Sequence, residues 1–156
     1  MISWLRGLPT AGLVVCLACT TVDPGSDFNI AEAVYDENFY YCRVEPMLFA
    51  QRCGPGDPSK GDAANGCHFN VTSFRMRDYS PLVADSCGGS LVPGVSPPPA
   101  ARSNYQTAQS RMQIDPALAA LLNRPIGTQA HPRAIFAANS PEADLIRQWA
   151  TQFSTQ

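Results

Sequence analysis

The stretch from Cys53 to His68 limits what this chain can fold into more than any other. Two cysteines stand thirteen residues apart, and His68 follows the second directly. The spacer, Gly-Pro-Gly-Asp-Pro-Ser-Lys-Gly-Asp-Ala-Ala-Asn-Gly, holds no apolar side chain larger than alanine. Such turn formers predict a solvent-exposed loop. Its glycines and Lys60 suggest a phosphate cradle, but the P-loop spacing Gly-x4-Gly-Lys-Ser/Thr is not met. Asp57, Asp62 and Asn65 offer oxygens to calcium at a spacing that fits no EF-hand, so a solvated loop is the plainer reading.

The redox state of those cysteines depends on where the chain resides. Met1 to Ala18 combine one early charge, Arg6, with the apolar run Gly12 to Ala18, which reads as an export signal. That run is too short for a bilayer span, which needs about 20 apolar residues. Ala18 before Cys19, then a polar segment, resembles the lipobox of bacterial lipoproteins. The resemblance implies lipidation of Cys19, anchorage to a membrane, and a place on the periplasmic side of the cell envelope as an outer-membrane lipoprotein. Cys16 stands where that family usually has leucine, which leaves ordinary signal cleavage, or none, as alternatives. The expected organisation is a signal at 1–18, a tether at 19–35 and one domain at 36–156. With 45% hydrophobic and 15% charged residues, the composition is that of a globular domain.

The formal net charge of −2 is no nucleic-acid footprint. Lys60 is the only lysine, so a lysine-rich docking face is absent as well. Beyond Cys19 there remain Cys42, Cys53, Cys67 and Cys87, which outside the cytoplasm would be oxidised or bound. Zinc on Cys53, Cys67, His68 and Cys87 lacks a paired knuckle, and oxidising conditions disfavour it.

In chain order, Tyr40, Val44, Met47 and Leu48 predict one face of an amphipathic helix over 36–51. Pro46 cannot bond to the Cys42 carbonyl, so that helix restarts or kinks. A short strand is one reading of His68 to Arg77, and Asn70-Val71-Thr72 matches a glycosylation sequon that a bacterial lipoprotein would not use. Residues 79–101, with Pro97-Pro98-Pro99, read as loop. Tyr105, Ala108 and Met112 mark a helix over about 101–113. Asp115 and Pro116 then cap a helix with Leu118, Leu121 and Leu122. Ser140-Pro141 repeats the cap before a last helix, with Leu145, Ile146, Trp149, Ala150 and Phe153 on its apolar stripe. The expected fold class is all-α.

Three pieces, in this order, resemble the c-type cytochrome domain, in particular its divergent versions in exported proteins of planctomycetes and myxobacteria. Val44 to Cys53 resembles the helix that enters the haem motif. Leu121 to Gly127, followed by His131-Pro132 and Phe136, is similar to a Ser-Leu-Leu segment and a later histidine. Glu142 to Trp149 is similar to the closing helix. The departure is a Cys-x13-Cys-His motif in place of Cys-x-x-Cys-His. By the loop-closure relation the longer spacer costs about 1.5 to 2 kcal/mol more entropy, small beside a covalent bond.

The resemblance implies a small cytochrome c-like helical domain with long loops, in which the N- and C-terminal helices cross. It implies one covalent haem c per chain, held by Cys53 and Cys67, with His68 as proximal iron ligand. His131 is the distal candidate, with Met112 or Met76 as rivals, and Cys42 would pair with Cys87. The work implied is one-electron transfer with another redox protein, not catalysis, since both axial positions are filled. Without haem, the four cysteines allow three pairings, Cys53 with Cys67 plus Cys42 with Cys87 among them, and the domain becomes a stapled binding module. An enzyme of peroxidase type would need an open iron site.

Overall fold

A computed structural model describes residues 33–62, 66–70, 72–79 and 96–155. All of these belong to one unit, Ala31–Gln156. It opens with β1 (Ala33–Tyr35), which pairs antiparallel with β2 (Phe153–Thr155) at the other end of the unit, Val34 opposite Ser154. This sheet corrects the all-α, cytochrome c-like fold class: the described residues form a mixed fold, with helices around a small two-stranded sheet. Both strands lie in segments that sequence alone gives another role, the end of the tether and the tail of the last helix. The last helix stops at Ala150, so Phe153 leaves its apolar stripe and is 37% exposed.

Asp36 begins the first rod, its carboxylate accepting from Phe39 N at 2.6 Å. The rod comprises α1 (Glu37–Phe39), a π-helical turn (Tyr40–Val44) and α2 (Glu45–Ala50). Pro46 accounts for the π turn. It has no N–H to offer the preceding turn, so the backbone widens, Glu45 N bonds to Tyr40 O, and Pro46 falls in the first turn of α2. There a missing donor costs nothing.

Proline also opens α3 (Pro99–Gln109), which ends earlier than the spacing of Met112 predicts; Met112 is buried in the turn beyond it. After Asp115 the expected single helix is split into a 3-10 turn (Pro116–Leu118) and α4 (Ala120–Asn123). The split turns Leu118 outward, 66% exposed, while Leu121 and Leu122 remain buried. Ser140 caps α5 (Pro141–Ala150), accepting from Ala143 N at 3.3 Å. The segments 66–70 and 72–79 form turns and bends rather than a strand.

Aromatic rings join these elements. The Tyr40 ring lies 5.0 Å from Trp149 and 5.6 Å from Tyr105. Trp149 Nε1 donates to Asp36 O at 2.8 Å, which ties α5 to the start of the first rod. Tyr105 OH donates to Tyr35 O at 2.5 Å, which ties α3 to β1. Beside this cluster Glu45 is fully buried, accepting from Asn104 Nδ2 at 2.9 Å and from the Tyr79 hydroxyl. Burial pushes its carboxyl up to about 7, although both hydrogen bonds pull the other way. Among the described residues no helix is long and apolar enough to cross a membrane.

Candidate functional site

The first rod delivers the chain to the site. Beyond Ala50 the backbone reverses at Arg52, whose φ of 58° is in the left-handed region. Arg52 Nε donates to Gly56 O at 2.8 Å and Cys53 N bonds to Leu48 O at 3.0 Å, so Cys53 is fixed against the end of α2. The spacer then returns. His68 N bonds to Cys53 O at 3.1 Å and Phe69 N to Gly54 O at 3.0 Å, which brings Cys67 and His68 back beside Cys53. Glycine leaves room for the Phe69 ring here, because a Cβ at position 54 would stand 2.1 Å from Phe69 Cε1.

Cys53, Cys67, His68 and His131 line one cleft of about 280 Å³. Its floor is apolar, with Leu48, Phe74, Leu121 and Ile135, and its rim carries Arg52, Arg111, Arg124 and Arg133. The two imidazoles have ring centroids 6.1 Å apart and planes inclined at 37°. His131 Nδ1 donates to Arg133 O at 2.6 Å. His68 Nδ1 faces Thr72 Oγ1 at 3.4 Å, and since Thr72 gives its own proton to Phe74 O at 2.7 Å, its oxygen is the acceptor. In each ring it is Nδ1 that a neighbouring oxygen holds. Burial, with His131 and Arg124 nearby, pushes the His68 pKa down and favours the neutral ring.

Cys53 and Cys67 are free thiols. Burial pushes Cys53 up to about 12, and burial with the neighbouring Asp62 carboxylate raises Cys67. Neither is poised as a thiolate, the form zinc needs. Among the described residues no three His, Cys, Asp or Glu side chains converge on a metal position.

The calcium reading of the spacer finds no support from Asp57 and Asp62. Asp57 caps the 3-10 turn (Pro58–Lys60), accepting from Ser59 N at 3.1 Å. Asp62 accepts from Arg133 Nη2 at 2.8 Å and Nε at 3.2 Å, and from Asp57 N at 2.8 Å. The Arg133 guanidinium holds the Asp62 carboxyl well below the usual carboxylate range. Met76 and Met112, the rival distal ligands, are buried and neither lines the cleft. Cys42 is disulfide-bonded, with its partner outside the described residues. Cys19, Cys87 and Asn65 also lie outside them.

Sequence reasoning missed Asp62, Arg133, Thr72 and the other rim arginines as parts of this site. Only the closeness of Arg133 to His131 was there to be read. No protein-family model matches the chain, and neither a curated protein nor a solved structure matches it.

Proposed function

We propose that this chain is an exported monohaem c-type electron-transfer protein, tethered at the envelope through Cys19. The observation that carries the reading is the pair of imidazoles in one cleft, 6.1 Å between centroids, with both cysteines lining the same cleft. Two imidazoles that close would both be within reach of one metal ion. Each Nδ1 already has an acceptor, which is how a ligating histidine is oriented and its basicity raised.

In this reading Cys53 and Cys67 would hold the haem through thioether bonds. His68 would be the proximal ligand and His131 the distal one. Haem supplies a one-electron couple, which the protein tunes through ligand choice and burial. Leu48, Phe74, Leu121 and Ile135 would keep water from the bound group, and Arg111 and Arg124 would offer it positive charge. Cys42 would pair with Cys87, and the electron partner is another envelope redox protein.

A pyridine haemochrome spectrum and an intact mass of protein from the native envelope test the reading. The expected result is a covalent c-type signal with one added haem mass. Protein that carries neither overturns it and leaves a haem-free binding module.

A further inference from the structure

The long spacer is more than a tolerated insertion. Its Asp62 reaches the segment that carries His131, 71 residues along the chain, through a forked pair with Arg133, and both side chains are largely sheltered, 10% and 19% exposed. Asp62 is itself fixed by its own loop: its carboxylate accepts from Asp57 N, and its N–H bonds to Asp57 O at 3.2 Å. Arg133, held at its guanidinium by Asp62, presents its carbonyl to His131 Nδ1 at 2.6 Å. A fork of two parallel N–H bonds fixes direction as well as distance.

We infer that the described part of the spacer, residues 54–62, is a strap, and that Asp62 acts through Arg133 as a positioning residue that aims His131 Nε2 into the cleft as distal ligand. This rests on the haem reading above. The same loop that parts the cysteines of the motif thereby sets the second histidine of the cleft.

The test compares Asp62→Ala, Arg133→Ala and Asp62→Glu with the parent, all from the native envelope, with covalent haem counted by pyridine haemochrome. The two alanine variants are expected to keep their haem but to lose a pure six-coordinate low-spin ferric spectrum. They should bind carbon monoxide or added imidazole about 10- to 100-fold more tightly, the usual scale of an outer-shell change at a metal site. Asp62→Glu should restore part of the parent spectrum. Unchanged spin state and ligand affinity in both alanine variants overturn the inference. Loss of covalent haem in step with any spectral change overturns it too, because the spacer then serves attachment.

If the parent has no haem, the functional reading falls, and the strap is read separately from the ring nitrogens of His131 by nitrogen-15 NMR. A single Nδ1–H tautomer that becomes a mixture in Asp62→Ala supports the strap. The same tautomer in both overturns it.

Discussion

Glu45 is the residue whose chemistry departs furthest from what its sequence position suggests. It falls one turn from the face of an amphipathic helix, yet it is enclosed with Tyr79 and Asn104, and burial lifts its pKa from 4.5 to about 7. The folded chain therefore holds more protons than the unfolded one between those values. Glu45 contributes its full stability below about pH 4.5, and the contribution is lost as pH rises through 7. The shift corresponds to on the order of 3 kcal/mol. Urea unfolding of parent and Glu45→Gln from pH 4 to 8 should show a gap that changes in the variant's favour as pH rises; a constant gap would mean that Glu45 titrates normally. His131 was legible as one of two histidines and through the resemblance, but its orientation was not, because its partner Arg133 is held by a carboxylate 71 residues earlier.

At the scale of elements, legibility follows the range of the interactions. Ser140-Pro141 and Asp115-Pro116 marked true starts, since a cap is decided within four residues. β1 and β2 were invisible for the opposite reason: each is three residues long and acquires its form only from the other. Phe153 follows Trp149 by four residues, which imitates a helical stripe, and nothing local announces that the helix has ended. The spacer was legible as a loop but its closure was not, because that depends on Phe69 lying against Gly54. Gly54→Ala should displace the Phe69 ring and cost about 1 to 3 kcal/mol. Thermal denaturation checks this, and an unchanged midpoint would remove Phe69 from the closure.

Among the described residues a core rich in aromatic rings adjoins the cleft, and the proposed electron transfer depends on the side chains that line it. Exchange of the distal imidazole for a thioether, His131→Met, should raise the midpoint potential by on the order of 0.1 V, within the range of about 0.8 V that axial ligands span. A potentiometric titration of both proteins gives the answer, and equal potentials would place the distal ligand elsewhere.

Arg52 keeps a left-handed backbone without being glycine, which costs on the order of 1 kcal/mol. That turn settles the direction of the Cys53 thiol before the spacer begins, and the two backbone bonds from His68 and Phe69 settle its return. A porphyrin edge would meet two sulfurs whose positions are boundary conditions of the loop, not products of its length. The number of residues between two cysteines is thus a poor measure of their separation, and a search for such sites is better made on the turns that flank them.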